Sequence, residues 1–259
     1  MPDAPERNAP VAGGACLIET LAETGSTNAV LLERLHLGEL IVEGAWLVAD
    51  RQTAGRGRAG REWCDGTGNF MGSTVALLQA SDPPAQTLAL VAGLAAFRAV
   101  ERAAPGLDGL QLKWPNDLLL DGAKLAGILL ERRGDAVVAG VGVNLAHAPA
   151  LADRAATCLA LAGHAITRDA FAALLADEWA DALSRWHHGQ WPALRSGWLE
   201  RAHPTGTLVT VKDRDHGPIM GAFAGIDGDG TALLRLADGT MHPIHAGDIE
   251  LVRTHASGD

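Results

Sequence analysis

Apolar and polar positions change their period several times along this chain, and the changes mark its elements. CLIETL (16–21) reads as a strand, and Ser26, Thr27 and Asn28 then offer N-cap residues to a helix carrying Leu31, Leu32 and Leu35 at helical spacing. AWLVAD (45–50) and FMGSTVALL (70–78) are short, mostly apolar runs of the buried-strand type, separated by a glycine-rich segment. QTLALVAGLAAFRAVERAA (86–104) is apolar on most of its circumference, which predicts a long buried helix. LQLKW (110–114) alternates, LLLDGAKLAGILLER reads as two strands around an Asp121-Gly122 turn, and AVVAGVGVNL (136–145) is a further strand.

From Thr167 to about Trp198 the period becomes helical, with Phe171, Leu174, Leu175, Trp179, Leu183 and Trp186 on one stripe. That spacing assigns Trp179 and Trp186 to the core. At HPTGT (203–207) the pattern returns to short strands, broken by DGDG (227–230) and Asp238-Gly239, which predicts a small β-barrel. The expected organisation is a flexible tail over 1–15, a catalytic α/β domain over 16–203, and a β-barrel domain over 204–259.

Composition narrows the class. With 21 Lys and Arg against 31 Asp and Glu, the net charge is −10, which disfavours DNA as a partner. No apolar run approaches the roughly 18 residues of a membrane span, and the start lacks a secretory signal. Three cysteines without C-x-x-C spacing fit a reducing compartment, so a cytoplasmic protein is expected. The ten histidines show no metal-site spacing, and no metal site is assigned.

In so acidic a chain, GRGRAGR (55–61) stands out. Gly55, Gly57 and Gly60 match the dinucleotide fingerprint, but that motif must open a helix, and EWCDGTGNF with Gly66 and Gly68 follows instead. Two readings remain for Arg56, Arg58 and Arg61: an anion-binding loop whose guanidiniums meet carboxylate or phosphate oxygens, or a solvated surface loop. KWPND (113–117) ends a strand at Pro115 and leaves Asn116 and Asp117 at a turn, where Lys113 and Asp117 either pair structurally or serve chemistry. Lys124 enters an apolar strand and needs an anionic partner. Asn144 either caps a turn or contacts a ligand.

Taken in order, ETGSTN, RQTAGRGRAGREW, KWPNDLLLDGAKLAGILLE and GVGVNL resemble the biotin protein ligases across about 17–145. The resemblance implies an α/β (α+β) fold of the class II synthetase-like biotin/lipoate ligase type, with a mixed sheet, flanking helices and a C-terminal SH3-like barrel. It implies activation of biotin with ATP and Mg2+ to biotinyl-5′-AMP, then transfer to a lysine of a biotin carboxyl carrier domain. By the same resemblance Ser26, Thr27, Asn28, Gln52, Gly55, Arg56 and Gly127 bind biotin. Arg56, Arg58, Arg61, Trp63, Asn116, Lys124 and Asn144 bind ATP or the adenylate, with Trp63 against adenine. Arg58, Lys113, Lys124 and Asp117 are the catalytic candidates, Asp117 orienting or deprotonating the acceptor lysine. Magnesium comes with ATP through its phosphate oxygens. Because the motifs begin at Ser26, a monofunctional enzyme without an operator-binding domain is expected, as is a homodimer through a sheet edge. Two rivals are a lipoate or octanoyl ligase of the same superfamily and a catalytically silent biotin-binding regulator.

Overall fold

The computed structural model describes residues 17–64, 66–151, 154–213, 217–245, 247 and 249–251, so the expected tail over 1–15 lies outside the described residues. The first layer is a seven-stranded sheet built from β1 (Ile18–Thr24), β2 (Trp46–Gln52), β3 (Phe70–Leu77), β4 (Leu110–Lys113), β5 (Asp117–Leu120), β6 (Ala123–Arg133) and β7 (Ala136–Val143). Its order is β1-β2-β3-β7-β6-β5-β4. β1 and β2 run parallel, joined by α1 (Thr27–His36), while the other neighbours are antiparallel.

The Asp121-Gly122 turn between β5 and β6 has positive φ at both residues, 51° and 76°. That is the two-residue geometry an Asp-Gly pair is suited to. α2 (Leu88–Ala103) covers one face of the sheet, and α3 (Arg168–His187) lies against α2. Trp179 and Trp186 of α3 are 1% and 0% exposed, as their spacing predicts, and the Trp186 indole donates to Thr87 Oγ1 at 2.8 Å.

Two boundaries differ from the sequence reading. The helical stretch beginning at Thr167 is two helices, α3 and α4 (Trp191–Leu199), because Gly189 takes a left-handed φ of 73° that ends the first. β1 and β2 also run further than their apolar cores. Thr24 still pairs with Gln52, since the backbone ladder continues through polar residues.

The C-terminal strands β8 (Leu208–Asp213), β9 (Gly217–Ile226), β10 (Ala232–Arg235), β11 (Met241–Ile244) and β12 (Ile249–Leu251) form an antiparallel sheet in the order β11-β10-β9-β8-β12. Two indoles, one following β4 and one at the start of α4, tie it to the rest of the protein. Trp114 Nε1 donates to Gly230 O at 2.9 Å, and Trp191 Nε1 donates to Gly228 O at 2.6 Å. The outer edge of β4 is occupied by the chain leaving α4, with Leu112 N donating to Arg201 O at 2.8 Å.

Candidate functional site

A cavity of about 410 Å³ lies over the sheet, floored by β6 and β7 and walled by the start of α1, the glycine-arginine loop, and Pro149, Leu151, Arg154 and Ala156. Its volume suits one drug-sized ligand. Of the candidate residues, Gly55, Lys113 and Asp117 do not line it; the others do. Gly55 contributes its carbonyl to the loop, accepting from Trp63 N at 3.0 Å, while Lys113 and Asp117 stand just behind the lining.

One end is a hydrogen-bonding network of mostly neutral side chains. Thr27 N donates to Gln52 Oε1 at 2.7 Å, Thr27 Oγ1 and Ser73 Oγ are 2.6 Å apart, Ser73 Oγ donates to Asn28 Oδ1 at 2.6 Å, and Asn28 Nδ2 donates to Glu131 Oε2 at 2.8 Å. Each hydroxyl has one proton. Ser73 spends its proton on Asn28, so Thr27 must donate to Ser73, leaving its 3.1 Å approach to Gln52 Oε1 as the weaker option. The result is a directed chain from Thr27 through Ser73 and Asn28 to Glu131, buried except at the carboxylate. Ser26 occupies the N-cap position of α1, but its side chain makes no capping hydrogen bond, so the hydroxyl is not committed to the helix.

The glycine-arginine segment is a small hairpin. Arg56 bridges Glu62, Gly57 N donates to Arg61 O at 2.7 Å, and Arg61 N and Nε both donate to Arg58 O at 3.2 Å. A single 3₁₀ turn (Arg58–Gly60) replaces the helix a dinucleotide loop would need, with Ala59 at φ 57°. Arg61 therefore braces the loop from within. Arg58 reaches across the cavity and donates to Asn116 Oδ1 at 3.1 Å, while Asn116 Nδ2 donates to Ile128 O at 2.6 Å. Arg56 lies 3.9 Å from Glu131, at the polar end.

The floor has to be glycine. A Cβ on Gly140 would collide with Asn28 Oδ1, and one on Gly142 would collide with the Trp63 indole. Gly127 lies beside Gly142 in the β6–β7 register, and a Cβ there would come within 3.1 Å of both Trp63 and Lys124 Nζ. Trp63 thus rests on the bare backbone, with the Lys124 ammonium 5.8 Å from its ring centre and its own Nε1 buried without a hydrogen-bond partner.

The other end is cationic. Asp117, 8% exposed, receives Lys124 Nζ on Oδ1 at 2.5 Å, with Lys113 Nζ and Arg154 Nη1 at 3.9 and 4.0 Å from Oδ2. Lys113 and Asp117 do pair across the turn, and the pairing belongs to this larger cluster. His203 is buried close to Lys113; burial first, and the lysine's charge second, push its pKa below the ordinary histidine value. Asn144, 2% exposed, donates to Thr157 O at 3.0 Å and keeps a buried Oδ1 without a partner. It therefore anchors the 154–157 segment. The registers give the spacing: from Gly140 to Asp117 is two residues along β7 and two strands across, about 7 Å by about 10 Å.

Sequence reasoning missed Ser73, Glu131 and Arg154. Ser73 carried a weak signal, a hydroxyl inside an otherwise apolar strand, where burial demands a partner. Arg154 carried none, because only the folded chain brings it to Asp117.

The sequence profile of the biotin/lipoate A/B protein ligase family matches residues 21–146, and that of the biotin protein ligase C-terminal domain matches 206–252. A biotin–acetyl-CoA-carboxylase ligase of Paracoccus denitrificans is 40% identical over 83% of this chain and 92% of its own length. The Mycobacterium tuberculosis protein of the same name is 36% identical over 91% and 89%. A biotin protein ligase from Aquifex aeolicus, solved in complex with biotin and ATP, superposes with a TM-score of 0.78 at 26% identity, covering 92% of this chain and 99% of that one. The chain belongs to the biotin protein ligases, within the biotin/lipoate A/B protein ligase family.

Proposed function

We propose that this chain activates biotin with MgATP and transfers the biotinyl group to a lysine of a biotin carboxyl carrier domain. The observation that carries the reading is the polarity of the cavity: a hydrogen-bonding end built mostly of neutral side chains and a cationic end, separated by a span an extended acyl chain can cross. Biotin has the same polarity, a neutral ureido ring at one end and a carboxylate at the other.

In the first step a carboxylate oxygen of biotin bonds to the α-phosphorus of ATP, the bond from that phosphorus to the bridging oxygen breaks, and pyrophosphate leaves with the electron pair. Two anions must meet for this, so cations are required where they meet. Ser26, Thr27, Asn28 and Gln52 hold the ureido ring, with Arg56 beside it, Gly55 in the loop behind Gln52, and Gly127 further along the floor beneath Trp63 and Lys124. Arg58 and Lys124 face the carboxylate and α-phosphate, and Asn116 positions Arg58 through the bond between them. Trp63 offers a flat face to adenine, Asn144 accepts from the nucleotide, and Arg61 keeps the loop closed over the water-sensitive anhydride.

In the second step the carrier lysine attacks the acyl carbon, AMP leaves, and the amine loses a proton. Asp117 orients the incoming ammonium. Lys113 is a positioning residue that acts through Asp117, its ammonium 3.9 Å from Asp117 Oδ2. The acceptor is a carboxylase carrier domain, as the names of the relatives imply.

A homodimer would pair through β1, because the opposite edge, β4, is covered by Arg201 and Ala202. The net charge of −10 supports a protein that does not bind DNA, and cysteines without metal or disulfide spacing support a cytoplasmic one. Among the described residues no helix is long and apolar enough to cross a membrane. Pyrophosphate–ATP exchange with biotin or lipoate tests the reading: exchange with biotin supports it, exchange with lipoate alone moves the protein to the sister activity, and exchange with neither leaves a silent binder.

A further inference from the structure

Arg154 enters the cavity from a segment that has no regular secondary structure, yet its position is fixed. Lys124 N donates to Ala155 O and Thr157 N donates to Lys124 O, both at 2.9 Å, so 155–157 pairs with the start of β6 as a parallel bridge. Asn144 holds the same segment through Thr157 O. The backbone carrying Arg154 and the backbone carrying Lys124 are thus sewn together, and their side chains converge on the two oxygens of Asp117.

The reaction assigned above needs cations in two places. The carboxylate and α-phosphate meet where Arg58 and Lys124 stand, and the leaving pyrophosphate carries the larger share of the charge beyond them. Arg56 does not serve that second place, since it sits at the polar end beside Glu131. Arg61 braces the loop from within, its Nε donating to Arg58 O at 3.2 Å. Arg154 lines the cavity at the cationic end, and its side chain is 23% exposed, accessible to a ligand but not freely solvated. A guanidinium presents two parallel N–H groups to a phosphate, where an ammonium presents a point charge.

We infer that Arg154 is a pyrophosphate-binding residue: it grips the β- and γ-phosphates of ATP and stabilises the charge that develops on the leaving pyrophosphate. The inference rests on reading the site as adenylate-forming. Lys124, on the other oxygen of Asp117, serves the α-phosphate side, so Asp117 sets the spacing between the two cations. Arg154 then takes no part in transfer to the carrier, because pyrophosphate has left before that step.

The test compares the full-length wild type with Arg154→Ala and Arg154→Lys in three assays: pyrophosphate–ATP exchange at varied MgATP and pyrophosphate, biotin binding without nucleotide, and transfer from preformed biotinyl-5′-AMP to a carrier domain. Arg154→Ala is expected to raise KM for both MgATP and pyrophosphate by about tenfold or more, the scale of a lost charge-assisted pair. Biotin binding and transfer should stay within about twofold of wild type, and Arg154→Lys should recover part of the loss. Unchanged KM values for MgATP and pyrophosphate would overturn the assignment. So would equal losses in all three assays, which would make Arg154 a brace for Asp117. A wild type without biotin-dependent exchange would remove the ligase reading itself, and it would do so before any variant was compared.

Discussion

Replacing Ser73 by alanine removes the middle link of the polar chain at the ureido end. Ser73 is fully buried, accepts from Thr27 and donates to Asn28 Oδ1. After the change Thr27 can turn its proton to Gln52 Oε1, 3.1 Å away, so that donor is rescued. Asn28 Oδ1 is not rescued. It faces Gly140, whose missing side chain leaves nothing to donate, and Asn28 is only 3% exposed. A buried acceptor left without a donor costs about 1–3 kcal/mol. In a domain of this size each kcal/mol lowers Tm by about 2–4 °C, so a fall of several degrees is expected. Asn28 also loses the bond that fixes its amide, so KM for biotin should rise in the same variant. Thermal unfolding followed by circular dichroism, together with biotin-dependent exchange, measures both. A Ser73→Ala protein with the wild-type Tm and biotin KM would show that this proton order does not stabilise the site.

Two further predictions follow from other parts of the structure. Arg58→Ala should lose adenylate synthesis while its circular dichroism stays unchanged, because Arg58 sits in the glycine-arginine loop, outside the buried core, with its side chain donating to Asn116 Oδ1; exchange at the wild-type rate would refute the loop's role. His187 lies between Asp82, 2.8 Å from Nδ1, and Glu43, 3.2 Å from Nε2, and although burial opposes its charge these two acceptors raise its pKa above the ordinary value. The stabilisation should be complete below about pH 6.5 and lost as pH rises through the raised folded-state pKa. The Tm gap between wild type and His187→Gln should therefore shrink with rising pH, and a gap that widens would contradict the ion-pair account.

Much of the fold could be read from the sequence because its signals are local. The alternation in LQLKW, the Asp121-Gly122 turn and the apolar circumference of α2 each depend on neighbours a few residues away, and each appears where expected. The break at Gly189 was harder to see, since the apolar stripe continues across it and one left-handed residue ends the helix. The site divides in the same way. Arg58, Lys124 and Asn116 announced themselves as charge or polarity in apolar or glycine-rich surroundings. Arg154 and Glu131 did not, because an exposed-looking charge acquires its role only from partners brought close by the sheet register.

The floor and the wall of the cavity are assembled from very different parts of the chain. β6 and β7 are consecutive strands joined by a tight turn, so the floor closes over a short loop and can form early. Asn28, in contrast, waits for Glu131, 103 residues later in the chain. At ribosomal rates of about 5–20 residues per second, that separation corresponds to roughly 5–20 s of synthesis. During this interval the start of α1 has been made but lacks the strands that complete its hydrogen bonds. The pocket is consequently a late product of biosynthesis, and a nascent chain released before β7 emerges would have the ureido-binding residues without the floor that holds them in place.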